Sequence, residues 1–193
     1  MSASTAVNYT ALGEMSVRQE EPQAGRRVAE LRHFEDFQVG DELPLATCQV
    51  TREAILAFAE RYDPQPFHID EAAAARSHFG GLVASGWHTG ALFMRMLVDG
   101  WLGGSASMGS PGLERLSWKR PVRPGDALSG SSTVLAVRVS QSRPEMGLVT
   151  FRHEVRNQQG EVVMEAQNPI MFARKPARVS NQQLSAGKKP DEA

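Results

Sequence analysis

Residues 86–101 read GWHTGALFMRMLVDGW. Ala91, Leu92, Phe93, Met94, Met96, Leu97 and Val98 leave it apolar nearly all round, so the spacing predicts a long helix buried in the domain. Only His88, Arg95 and Asp99 form a polar stripe, with Arg95 and Asp99 at i, i+4, where opposite charges pair. Downstream, past the glycine-rich loop 103–112, the apolar period changes to two. A strand is expected over Leu113 to Lys119 and another over Leu128 to Val139, where Thr133, Leu135, Val137 and Val139 share a face. In Leu148 to Arg156 the alternation is cleaner: Val149, Phe151, His153 and Val155 point one way, and Thr150, Arg152, Glu154 and Arg156 the other. Asn157-Gln158-Gln159-Gly160 reads as a hairpin loop, after which Val162, Met164 and Ala166 return on one face. A buried helix followed by about four antiparallel strands argues for an α+β domain, a curved antiparallel sheet wrapped around a long central helix.

Upstream of the helix, Leu43 to Val50 is a short strand candidate. Thr51 is placed to cap a helix carrying Ile55, Phe58, Ala59 and Tyr62 on one stripe. Pro64 ends that helix, because it disfavours helical geometry at Asp63. Asp70 opens a second short helix, EAAAARSHF, which Gly80-Gly81 stops. Between them, residues 62–70 read YDPQPFHID. Two prolines fix two φ angles and remove two donors, which predicts a stiff connector rather than a helix or strand.

The chain has 193 residues, 22% of them charged, with a formal net charge of -1. That balance gives no general attraction to nucleic acid or anionic lipid. No apolar run approaches the ~20 residues of a membrane span. The single cysteine, Cys48, makes no internal disulfide and reads as a small buried hydrophobe. Residues 1–32 and 177–193 lack an apolar period and are expected to be mobile tails flanking one domain over 33–176. No apolar signal segment is legible near the start, so the expected address is the cytoplasm.

Chemistry concentrates between Asp63 and Gly86. Five residues apart on a stiff segment, the Asp63 carboxylate and His68 imidazole can face one cleft, the carboxylate orienting the ring. By spacing alone they also fit an ordinary Asp-Pro turn with surface polar residues. Ser85 fits an N-cap, and Gly86 begins the helix where backbone N–H groups lack intrahelical partners and carry the positive end of the dipole. That end suits an oxyanion; simple capping with packing glycines fits it equally. His33, His78, His88 and His153 have no partner at metal-ligand spacing, so no metal is expected, and His153 reads as a hydrogen-bonded core or interface residue. Ser85 lacks the setting of a hydrolase nucleophile, and loop 100–112 lacks a P-loop pattern.

Taken together, YDPQPFHID, the helix opened by Ser85-Gly86 and LSWKRPVRPGD at 116–126 resemble the MaoC-like hydratase family, over roughly Phe34 to Phe172. Asp63, Pro66, Phe67, His68 and Asp70 match its Asp-x-Asn-Pro-apolar-His pattern, with Gln65 where Asn is usual. Lys119 to Asp126 looks like its later Lys-x-Pro-Val-x-x-Gly-Asp element. The resemblance implies a hot-dog fold and a hydro-lyase that adds water to a trans-2-enoyl-CoA, giving an (R)-3-hydroxyacyl-CoA, or the reverse. Asp63 and His68 would hold and activate the water, and the Gly86 N–H would stabilise the enolate oxygen, with Ser85 and Trp87 beside the substrate. It implies no cofactor beyond the CoA of the substrate, and a homodimer or higher homo-oligomer. Lys119, Arg120 and Arg123 are candidate contacts for the CoA phosphates, or ordinary solvated turn charges. Ser85 stands where the family often has His, and Met94 where hydratases can carry Ser. Trp87 either shortens or reshapes the acyl pocket, or packs in the core. An acyl-CoA thioesterase and a non-catalytic acyl-CoA-binding hot-dog protein are the alternatives.

Overall fold

The computed structural model describes residues 31–176. Thr51 caps α1 (Arg52–Tyr62), its hydroxyl accepting from the Ala54 N–H at 3.1 Å. Ile55 and Ala59 carry the buried side of α1, while Tyr62 is exposed. The connector expected at 62–70 contains one helical turn, α2 (Pro66–Ile69), with Pro66 at its start. Proline is tolerated there because the first N–H of a helix has no partner to lose. Asp70 then caps α3 (Glu71–Arg76), accepting from the Ala73 N–H at 2.9 Å. The long helix is α4 (Gly86–Gly100).

The strands are β1 (Glu42–Pro44), β2 (Cys48–Gln49), β3 (Arg115–Trp118), β4 (Ala127–Val139), β5 (Met146–Arg156) and β6 (Val162–Ala173). They form an antiparallel sheet in the order β1-β4-β5-β6-β3, with β2 also on β4. The strand expected over 43–50 is two short pieces. Between them the Ala46 N–H leaves the ladder and donates to the Met96 carbonyl of α4 at 3.0 Å.

The sheet wraps α4 as expected, with two corrections. First, α4 is buried on one face only: His88, Thr89, Phe93, Met96 and Leu97 are inside, while Trp87, Met94 and Val98 are exposed. His88 therefore leaves the expected polar stripe and stacks on Phe58, with ring centroids 4.8 Å apart. Arg95 and Asp99 do pair, at 2.6 Å. Second, the face expected over Thr133, Leu135, Val137 and Val139 is broken at a bulge, which leaves Thr133 opposite exposed Arg152 but Val137 opposite buried Val149. Leu128, Ser132 and Val134 are buried, whereas Leu135, Val137 and Val139 are exposed. The β4–β5 register shifts between Val134 and Ala136, and Ser132 is held inside by hydrogen bonds to Trp101 and His153. On β5 the predicted face holds: Val149, Phe151, His153 and Val155 are fully buried. Phe93 meets His153 at 5.0 Å and Trp101 meets Phe151 at 5.0 Å between ring centroids, joining helix to sheet.

The ends of the domain meet. Arg174 and the Lys175 N–H bind the Glu35 carboxylate at 2.8 and 2.9 Å, and the Lys175 ammonium pairs with Asp36. Arg32, placed in the expected N-terminal tail, makes a β-bridge to Ser105. The rest of the two expected tails lies outside the described residues. Cys48 is half-buried rather than fully so, and burial raises its thiol pKa. Among the described residues no helix is long and apolar enough to cross a membrane.

Two buried histidines make stability pH-dependent. The His153 Nε2 lies 3.1 Å from the Asn168 Oδ1, an acceptor, so it carries the proton, and Nδ1 accepts from the Ser132 hydroxyl at 2.8 Å. Burial pushes its pKa down from 6.5 to about 4, against the opposing Asn168 bond. Burial does the same to His88, from 6.5 to about 4. Between those values the unfolded chain binds protons that the folded protein refuses, so stability falls as pH falls through that window. Each histidine should contribute a slope of about 1.4 kcal/mol per pH unit well inside it. Urea unfolding at pH 7, 6 and 5 should show the decline beginning near 6.5, before most carboxylates titrate. A flat profile to pH 5 would contradict the buried neutral state of both rings.

Candidate active site

The turn of α2 carries His68 inward until only 5% of it is exposed. Its Nδ1 lies 2.7 Å from the Val83 carbonyl oxygen. A carbonyl only accepts, so Nδ1 carries a proton, and when the ring is neutral Nε2 presents a lone pair. That lone pair lies 3.5 Å from Asp63 Oδ2. Two acceptors at this separation make no direct hydrogen bond. They are spaced to share one molecule with two O–H donors.

Asp63 closes the C-terminal end of α1 and is pinned from two sides. The Ser85 hydroxyl donates to Oδ2 at 2.7 Å and the Gln65 amide to Oδ1 at 2.8 Å. The Ser85 bond foremost holds the Asp63 carboxyl below its ordinary range, against desolvation, with Gln65 and His68 adding to it. The carboxylate thus stays ionised at neutral pH. Ser85 is completely buried and also accepts from the Trp87 N–H at 3.2 Å, so one hydroxyl caps α4 and fixes Asp63. This corrects the expectation that Ser85 lies beside a substrate.

Beside the pair lies a cavity of about 380 Å³, walled by His68, Phe67, Gly86, Thr89, Trp118 and Val122, with Lys119 and Arg120 also on its lining. Gly86 is the first residue of α4, where N–H groups have no intrahelical partner, and it lines this cavity. The Trp118 indole covers the Gly86 Cα: a Cβ there would stand 2.6 Å from Trp118 Cε2. Of the three residues expected to act together, His68 and Gly86 line this cavity, while Asp63 is off its lining and meets His68 at 3.5 Å and Ser85 at 2.7 Å. Trp87 is 62% exposed, neither core nor cavity wall here, and lines a second cavity further along α4.

The basic cluster divides. Lys119 pairs with Glu165 at 2.9 Å and Arg120 with Glu161 at 3.3 Å, so both cations on the cavity rim are partly neutralised. Arg123 donates to the Phe79 carbonyl at 2.6 Å, bracing the 79–81 turn rather than facing the cavity. Sequence reasoning missed Gln65 as an Asp63 partner, the Val83 carbonyl and Trp118. Gln65 sits at a motif position and was legible there; a backbone carbonyl leaves no signal in side-chain identity.

A sheet curled on one helix, with a carboxylate–imidazole pair at that helix's N-terminal end, defines a hot-dog domain with its cleft beside the Gly86 N–H. The chain belongs to the MaoC-like family: the MaoC like domain matches residues 36–157. Among solved structures it is similar to a MaoC-like dehydratase from Rhodospirillum rubrum, at 47% identity over 75% of this chain and 98% of that one, with a TM-score of 0.69. It is also similar to the R-hydratase PhaJ1 from Pseudomonas aeruginosa in its unliganded form, at 26% identity over 74% of this chain and 86% of that one, with a TM-score of 0.60. Among curated proteins, the uncharacterized protein YdeM of Bacillus subtilis is 27% identical over 142 residues, 73% of this chain and 99% of that protein.

Proposed function

We propose that this protein hydrates trans-2-enoyl-CoA to (R)-3-hydroxyacyl-CoA, or dehydrates that product. The observation carrying this reading is the 3.5 Å gap between two acceptors, His68 Nε2 and Asp63 Oδ2. One water seated beside the pair, within hydrogen-bond reach of both, can donate a proton to each. Its oxygen adds to Cβ of the enoyl group as the Cα–Cβ π bond breaks. The water's proton passes to His68 Nε2, and the imidazolium formed is stabilised by the ionised Asp63. The electron pair moves through Cα to the thioester oxygen, which the Gly86 N–H receives at the positive end of α4. Such a donor is worth about 3–4 kcal/mol in a water-excluded site. His68 then returns the proton to Cα on the same face, so one water is consumed and no other atom changes hands.

The (R) product is drawn from the likeness to (R)-hydratases. No cofactor is needed beyond the CoA of the substrate, and Lys119 and Arg120 on the cavity rim are placed for its phosphates once they exchange their glutamate partners; Arg123 contributes only through the turn it braces. A cytoplasmic address and a homodimer are part of the reading; the dimer is supported by the outer edge of β3, unpaired among the described residues, and the exposed Met94 and Val98 of α4. Purified protein given crotonyl-CoA should remove the enoyl absorbance and yield the (R)-3-hydroxy product on chiral analysis. Release of free thiol without hydration would instead mark a thioesterase. Saturable binding with no product from any enoyl-CoA would mark an acyl-CoA-binding protein.

A further inference from the structure

A second cavity, about 450 Å³, draws its walls from the same two elements, α4 and β3, with no residue in common with the first. Its walls are mainly apolar, including Gly90, Phe93, Met94, Leu97, Leu116 and Ile170. The first cavity takes Gly86 and Thr89 from α4 and Trp118 from β3; the second takes Trp87, Gly90 and Ala91 from the same turns, and Leu116 from the same strand. At the junction two indoles meet. Trp118 lies on Gly86, and Trp87 packs edge-on against it with ring centroids 5.5 Å apart. Neither is locked in the core: Trp87 is 62% and Trp118 44% exposed. Trp118 lines the first cavity, and Met164, its cross-strand partner on β6, lines the second, as does Trp87.

We infer that the Trp87–Trp118 pair is a partition that closes this apolar compartment off from the Asp63–His68 site and restricts the protein to short acyl groups. The inference rests on the proposed enoyl-CoA reading. With the partition in place, an acyl chain has only the first cavity, whose volume is near the lower end for ligand sites. With the Trp118 indole removed, the two spaces join, and a longer chain extends along α4 past Gly90. Gly90 offers a way to refill the compartment, because a Cβ there would meet nothing within 4 Å.

The test compares kcat/KM for crotonyl-CoA and trans-2-octenoyl-CoA. The wild type should favour the four-carbon substrate at least about tenfold, since single methylenes in an apolar site already shift such ratios by that order. Trp118→Leu should move the ratio toward octenoyl-CoA by about tenfold or more, and Trp87→Ala in the same direction. Adding Gly90→Leu to Trp118→Leu should cancel the gain. A ratio moved less than twofold by both tryptophan variants, or a wild type that uses both lengths equally, overturns the partition. Calorimetric binding of octanoyl-CoA against butyryl-CoA reads the same ratio without turnover. If no enoyl-CoA is hydrated but Trp118→Leu still tightens octanoyl-CoA selectively, the partition stands and the hydratase reading fails. If hydration occurs and neither readout shifts, the hydratase reading stands alone. Trp87→Ala, at an exposed position, keeps the test available if Trp118→Leu does not fold.

Discussion

Asp63→Asn and His68→Ala should each lower kcat for crotonyl-CoA hydration by about 10²–10⁴-fold, the range of a positioned acid–base group. The two losses have different origins. Asn at 63 keeps the size of the side chain and an oxygen that can accept from Ser85, but it removes the negative charge 3.5 Å from His68 Nε2. The imidazolium then forms without a counter-charge, and the attacking water loses one acceptor. Ala at 68 removes the base itself and strands the Val83 carbonyl that held it. Asp63→Asn should therefore keep its Tm within a few degrees of wild type, while His68→Ala should lose some. Because the residues act as a unit, the double variant should be little slower than the worse single one. Ser85→Ala gives a finer check. Losing the bond that foremost holds Asp63 down should raise its pKa, so the acid limb of the pH–rate profile should move to higher pH. Wild-type rates in both single variants would remove the pair from the mechanism.

Gly86→Ala should be damaging out of proportion to one methyl group. Its Cβ would stand 2.6 Å from Trp118 Cε2 and 2.8 Å from Cδ2. Either the indole leaves or the first turn of α4 shifts. Overpacking of this kind costs about 1–3 kcal/mol. If the helix end moves, the Gly86 N–H and the cavity wall move together, and a displacement near 1 Å at a reacting centre costs about 10²-fold in rate. Urea unfolding and kcat should both register the change. Trp118→Leu should relieve it, so the double variant Gly86→Ala/Trp118→Leu should lie within about 0.5 kcal/mol of Trp118→Leu alone, a clear departure from additivity. A fully stable, active Gly86→Ala protein would show that the indole does not occupy the place assigned to it.

These two sites differ in how far they could be read before folding. The Asp63–His68 pair lies in one short segment whose prolines constrain it, and its matching residues are spelled out in order. The start of α4 was equally legible, because Ser85 and Gly86 are local punctuation. Gln65 stands inside the same motif and could have been assigned to Asp63. Nothing local announced that Ser85 would reach back 22 residues to that carboxylate, or that Trp118 would lie on Gly86. The helix-long apolar pattern of 91–98 predicted burial without saying which side would remain open. The broken face of β4 has the same root: alternation identifies a face, but it does not mark the bulge at which the residues beyond it change sides.

The α+β class and the position of the long helix follow from residue order, because hydrophobic period and caps act over a few residues and need no distant partner; Asp63 and His68 are singled out by the motif they share with the family, not by spacing. The 3.5 Å gap, the proton on His68 Nδ1, the depressed Asp63 and the tryptophan partition come from tertiary structure alone. Each depends on groups far apart in the chain, Val83 against His68, Ser85 against Asp63 and Trp118 against Gly86, and hydrogen bonds and packing contacts act only once the fold has brought such groups within a few ångströms.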